Sequence, residues 1–230
     1  MICTFRKYLF VLLVIATGWS VPCQADMPPA VAAGTALAAA DDCVVKVFKP
    51  NEQGTGTLIS SDGWILTAAH AADYDPAAMH VEWRGRQHDV VDVFFAHAQC
   101  ADLALVKIDV FQAPCLQIAT ENPRVQETVV SAGYPRGAFR EAGGFVLRYM
   151  GGDRQTGFVM TSFVCDRGGS GSPLVNKSHK ICGVLTTAAF DHRNAPIADF
   201  WIPAQPIAHL LDEARDAGKL PTTAADIAGK

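Results

Sequence analysis

The sequence predicts an all-β fold of two six-stranded antiparallel β-barrels followed by a C-terminal α-helix. Three observations carry that expectation. Twelve short runs rich in β-branched and aromatic residues fall into two sets of six. A polar, proline-containing stretch at 120–127 (TENPRVQE) separates the sets. The segment 206–217 (PIAHLLDEARDA) then changes to a helical period, with Ile207, Leu210 and Leu211 on one face.

Taken in order, residues 1–25 begin with a basic pair, Arg6 and Lys7, and continue through an apolar run from Tyr8 to Ala16. They end in Cys23-Gln24-Ala25, with small side chains at the two positions a signal peptidase reads. This is the pattern of a cleaved secretory signal. The run is too short to span a hydrocarbon core, so no membrane contact is expected after cleavage. A lipid anchor would need Cys23, which Pro22 disfavours. Residues 26–42 are Ala-rich without an amphipathic face and read as a mobile leader.

The first barrel is expected over 43–120, from the runs CVVKVF, GTGTLIS, WILTAA, MHVEW, DVVDVFF and DLALVKI. Between the second and third runs, SSDGW supplies the Asp-Gly turn of a hairpin. The second barrel, 121–205, is built from TVVSAGYP, AGGFVLRYM, GFVMTSFV, SPLVNK, ICGVLTTA and FWIPA. The helix follows at 206–217, Gly218 stops it, and 218–230 read as a disordered tail.

Composition narrows the function. Half the residues are hydrophobic, 18% are charged, and the formal net charge is −4. The signal segment removes two basic residues and no acidic one, so the remaining chain is more acidic still. It carries no basic block, and nucleic acid is not an expected partner. Five cysteines lie beyond the signal: Cys43, Cys100, Cys115, Cys165 and Cys182. A secreted or periplasmic location permits disulfides, and the odd count leaves one thiol over. Many pairings are open; Cys100–Cys115 and Cys165–Cys182 are the favoured ones. No CxxC pair and no metal-ligand histidine spacing is present, so no metal and no cofactor are expected.

Chemistry points to three segments. A serine hydroxyl is a poor nucleophile at neutral pH and needs a base, for which imidazole is the suitable side chain. The imidazole needs one nitrogen protonated and held, the task of a buried carboxylate. His70 ends ILTAAH, where Ala68 and Ala69 let the chain turn tightly and leave the ring facing a cleft. Asp102 opens an otherwise apolar run, and a carboxylate there must be solvated or paired. Asp92 in VVDVFF is the comparable candidate, but it belongs to a solvated face. Ser170 sits in Gly168-Gly169-Ser170-Gly171-Ser172-Pro173, where Gly168 lets its N–H converge with that of Ser170 on one point, an oxyanion hole. His, Asp and Ser in that chain order match one triad lineage and not the others.

The segments GTGTLISSDGWILTAAH (54–70), ADLALVKID (101–109), VVSAGYP (129–135) and GGSGSPLV (168–175) resemble the chymotrypsin-like (trypsin-fold) serine peptidases. The resemblance is to the bacterial branch that includes the HtrA and glutamyl-endopeptidase groups, and it covers roughly residues 43–212. It implies two six-stranded barrels with the site in the cleft between them. It further implies His70 as general base, Asp102 as its orienter, Ser170 as nucleophile, and Gly168 and Ser170 as oxyanion donors. By the same alignment Val164, Cys165 and Ala188 line the primary pocket, and Thr186, Thr187 and Ala188 pair with the substrate as an added strand. Those side chains are small and uncharged, so a modest apolar residue is expected before the scissile bond; a two-residue slip would instead bring Asp166 to the pocket base and favour Lys or Arg.

Four departures are visible. Gly169 replaces the aspartate that animal trypsins pair with a freshly cut N-terminus, so that activation switch is not expected. Nothing after Ala217 is long enough for the peptide-binding domain of the HtrA group. The histidine of the glutamyl endopeptidases has no counterpart in 183–187. Val164 stands where trypsins carry an acidic residue. The resulting expectation is a secreted serine endopeptidase acting on polypeptides through an acyl-enzyme. The alternative is a catalytically silent binding protein on the same scaffold, whose Gly168-Gly169 turn rests with its oxyanion hole unformed.

Overall fold

The computed structural model describes residues 41–96 and 102–221. The expected signal segment, most of the leader, Cys100 and the end of the tail lie outside the described residues. Two closed antiparallel barrels account for the strands. The first contains β1 (Val44–Lys49), β2 (Glu52–Leu58), β3 (Trp64–Thr67), β4 (His80–Trp83), β5 (Arg86–Phe95) and β6 (Ala104–Ile108). Its spatial order is β1-β2-β3-β6-β5-β4. The second contains β7 (Thr128–Gly133), β8 (Arg140–Met150), β9 (Phe158–Thr161), β10 (Pro173–Asn176), β11 (Ile181–Phe190) and β12 (Pro196–Pro203), in the order β10-β11-β12-β9-β8-β7. Each of the twelve expected runs contributes one strand, because each is long enough to cross a small barrel and is bounded by turn residues.

Side-chain alternation fills the barrels. In β1, Val45 and Val47 point into the first barrel and are fully buried, beside Leu58, Ile65 and Leu105. Val44, on the opposite face, is also buried, packed with Ala132 of β7 and the partly buried Tyr134 and Phe139. That contact is part of the seam between the barrels. The second barrel is filled by Val129, Val146, Val159, Leu174, Cys182, Leu185 and Trp201. The other face of β10–β12, through Val175, Ile181, Val184 and Ile202, joins the hydrophobic cluster of the first barrel. Strands buried on both faces read as near-continuous apolar runs, as ICGVLTTA does.

The helix α1 (Ala204–Asp216) begins two residues before the expected Pro206. Pro206 is tolerated there because the N–H groups of a first helical turn have no intrahelical partner to lose. Ile207, Leu210, Leu211 and Ala214 are buried in the cluster that also holds the first barrel's core. The segment expected to be a disordered tail starts in contact with the fold. Lys219 N–H donates to Ala214 O, Leu220 is buried, and Lys219 Nζ pairs with Asp92 Oδ2 of β5 at 2.6 Å. Asp92, read from sequence as solvated, is therefore tied to the chain end. Among the described residues no helix is long and apolar enough to cross a membrane.

Candidate active site

Residues from both barrels meet at the seam. After β3 the chain passes Ala68 and makes a single 3₁₀ turn, Ala69–Ala71, that carries His70. Small side chains are required here: a Cβ on Gly54 would stand 2.7 Å from the Ala71 methyl group and 3.2 Å from Ser170 O. Asp102 lies just before β6, and both of its oxygens are engaged. Oδ1 accepts the backbone N–H of His70 at 2.8 Å, and Oδ2 meets His70 Nδ1 at 2.6 Å. An ionised carboxylate can only accept, so Nδ1 carries the proton and Nε2 is left with its lone pair. The Thr186 hydroxyl donates a very short hydrogen bond to the same Oδ2. Three donors thus fix one carboxylate, and the carboxylate fixes the ring.

The Ser170 turn is anchored to β2. Thr55 N–H donates to Ser170 O at 2.8 Å, and Thr55 Oγ1 donates to Gly168 O at 2.9 Å while accepting the Tyr134 N–H at 3.0 Å. Gly171, with φ +88°, lies so close to β2 that a Cβ would sit 1.9 Å from Thr55 O. Only glycine fits. Ser170 is thereby held against the strand whose Gly54 touches the His70 turn. No hydrogen bond joins the Ser170 hydroxyl to His70 among the described residues.

Gly168 adopts φ +87°, a conformation unfavourable for other residues. Arg167 O is turned away from the site and accepts the Arg136 N–H at 2.6 Å, and Gly169 N–H turns inward to Asp166 O at 3.0 Å. Among the described residues neither the Gly168 nor the Ser170 N–H donates to a protein acceptor. Arg167 donates to Asn194 Oδ1 at 2.7 Å and lies over the Phe190 ring.

The remaining expected site residues divide. Past Val184 the edge of β11 facing away from β12 carries no paired strand among the described residues, which leaves Thr187 and Ala188 on an open edge. Thr186 is buried, and its side chain hydrogen-bonds Asp102. Val164 is 40% exposed, and Cys165 packs at the rim of the second barrel's core. Val164 and Cys165 help line a cleft of about 400 Å³ with Ser131, Gly133, Arg140 and Pro196.

One expectation needs correction. No disulfide joins the described cysteines. Cys165 packs against the second barrel's core, Cys182 is buried inside it, and burial raises both thiols above their ordinary pKa. An acid not singled out from the sequence lies beside these residues. Asp199 on β12 is 1% exposed and pairs across the sheet with Ala188. Its Oδ2 accepts the Cys165 N–H at 2.6 Å, and desolvation pushes its carboxyl up to about 7. Sequence reasoning missed Asp199, Thr55 and Arg136. Asp199 carried a usable signal, an acid in the apolar run ADFWIP like Asp102 in ADLALV, but the expected strand began one residue later, at Phe200.

Comparison with known proteins adds to this geometry. The profile of a family described as the trypsin-like peptidase domain matches residues 54–184. The serine protease HhoB of Synechocystis sp. is 27% identical over 184 residues, covering 74% of this chain and 42% of its own. The DegP-like periplasmic serine endoprotease of Marinomonas sp. is 26% identical, covering 73% of this chain and 36% of its own. This chain therefore spans less than half the length of those relatives. Among solved structures, a serine endoprotease from Yersinia pestis superposes with a TM-score of 0.68 at 22% identity, over 84% of this chain and 69% of that one. At that identity the superposition shows the fold.

Proposed function

From the premise that this chain belongs to the trypsin-like peptidase domain family, we propose that it is a serine endopeptidase that hydrolyses polypeptides through an acyl-enzyme. The observation that carries the reading is the doubly held His70, whose Nδ1–H is fixed by a carboxylate that three donors orient. In this account Ser170 Oγ attacks the scissile carbonyl carbon while His70 Nε2 takes its proton. The oxyanion is received by the N–H groups of Gly168 and Ser170. Collapse breaks the C–N bond, His70 returns the proton to the leaving amine, and water then hydrolyses the Ser170 ester by the same steps in reverse order.

The substrate backbone would extend the open edge of β11 at Thr187 and Ala188. Gly168 at φ +87° and Arg167 O held by Arg136 favour a turn already set for catalysis over the silent-scaffold alternative. A secreted or periplasmic site of action follows from the N-terminal sequence pattern and agrees with the periplasmic location stated for the DegP-like relative. The test is cleavage of an unfolded protein such as reduced casein. The wild-type chain should generate peptides, and Ser170→Ala and His70→Ala should each lose activity by a factor on the order of 10⁶ in kcat. A Ser170→Ala variant that cleaves at the wild-type rate would refute the reading.

A further inference from the structure

The buried carboxylate of Asp199 has no role in the steps above. It is 1% exposed, and its Oδ1 has no hydrogen-bond partner among the described residues. Oδ2 is committed to the Cys165 N–H. No Lys, Arg or His pairs with it among the described residues, and burial outweighs the contacts from Cys165 in setting its protonation. An unpaired carboxyl in a protein interior is costly, and one unsatisfied oxygen adds to that cost. Such a group calls for a partner that the chain does not supply.

Its position says where a partner would come from. Asp199 lies two residues before Trp201 on β12, so the pleat sends both side chains to the same face, and Trp201 fills the second barrel's interior. Asp199 also connects two walls of the expected primary pocket, opposite Ala188 on β11 and hydrogen-bonded to Cys165 on the segment before Ser170. Cys165 is common to this hydrogen bond and to the lining of the open cleft. Asp166, the other acid close by, is not available. Its Oδ2 is paired with Arg136 Nε at 2.6 Å and its Oδ1 accepts the Arg167 N–H at 2.7 Å.

We propose that Asp199 is the specificity-determining residue of this site, its unpartnered oxygen receiving the cationic end of a Lys or Arg side chain of the substrate. The proposal rests on the peptidase reading and replaces the expectation of an apolar residue before the scissile bond. A site built around a buried hydrogen-bonding group discriminates strongly, because a substrate lacking the matching group leaves it unpaired.

Two measurements on the full chain test it. The first is kcat/KM on peptides that differ only in Arg, Lys, Val, Ala or Leu before the scissile bond. The second is calorimetric binding of benzamidinium to wild type, Asp199→Asn and, should the amide impair folding, Asp199→Ala. Arg and Lys peptides should be preferred over Val by roughly tenfold to a hundredfold, and the Arg-to-Val ratio should collapse in the Asp199 variants. Benzamidinium binding should weaken by a similar factor. Equal cleavage of Arg and Val peptides by an active enzyme would overturn the proposal, as would benzamidinium binding that is absent or insensitive to Asp199. A chain that binds benzamidinium through Asp199 yet cleaves nothing would defeat the peptidase reading while leaving the pocket's charge preference standing.

Discussion

At the scale of single residues, Asp102 carries the largest burden. Its oxygens fix the His70 tautomer, so Asp102→Asn is expected to lower kcat by roughly 10⁴ while preserving the fold. Near-normal activity in that variant, measured on any cleaved peptide, would remove Asp102 from the mechanism. On the proposed mechanism Thr186, which donates to Asp102, is a positioning residue. Thr186→Val deletes one charge-assisted donor and should reduce kcat about tenfold with KM changed less. Asp199 makes a separate prediction about stability. Its carboxyl is raised to about 7 from 3.8, so between about pH 4 and 7 the folded chain holds a proton that the unfolded chain releases. Stability from this group is complete at low pH and is lost as pH rises through 7, by on the order of 4 kcal/mol. Melting curves should show Asp199→Asn gaining on wild type from pH 4 to 7 and levelling above. A gap independent of pH would contradict the burial argument.

At the scale of elements, β2 anchors the Ser170 turn. Thr55 holds Gly168 O, Ser170 O and Tyr134 N–H from one buried position, so Thr55→Val leaves two of those groups without a partner. The expected result is a kcat loss on the order of tenfold to a hundredfold with the fold retained by circular dichroism. Much of this architecture was legible in the sequence. Twelve alternating runs specified twelve strands because a barrel strand must bury one face and end at a turn. The close approach of the His70 and Ser170 turns was legible because glycines and alanines in both segments mark tight backbone contact. The role of Thr55 was not, since a threonine in a strand is ordinary and its three partners are 79 to 115 positions away in the chain. The bond from Thr186 to Asp102 was not legible either, because it joins residues 84 positions apart in the chain. The helix start moved to Ala204 since a first turn does not need its N–H donors.

At the scale of the whole molecule, the site exists only while the two barrels stay together. His70 and Asp102 come from the first barrel and Ser170 from the second. Helix α1 continues β12 of the second barrel, yet its buried face belongs to the cluster that holds the first barrel's core. Leu210→Ala should therefore cost roughly 2–5 kcal/mol, read as a lowered urea midpoint, and should weaken catalysis near the transition before bulk β structure is lost. The central claim is that Ser170 is a nucleophile activated by His70 and Asp102. Labelling by a fluorescent alkylphosphonofluoridate, with the modified residue mapped by mass spectrometry, tests it most directly. The account predicts stoichiometric modification of Ser170 in the folded chain, absent in Ser170→Ala and slowed by orders of magnitude in His70→Ala. A folded wild-type chain that takes no label, or a label that survives in Ser170→Ala, would contradict it.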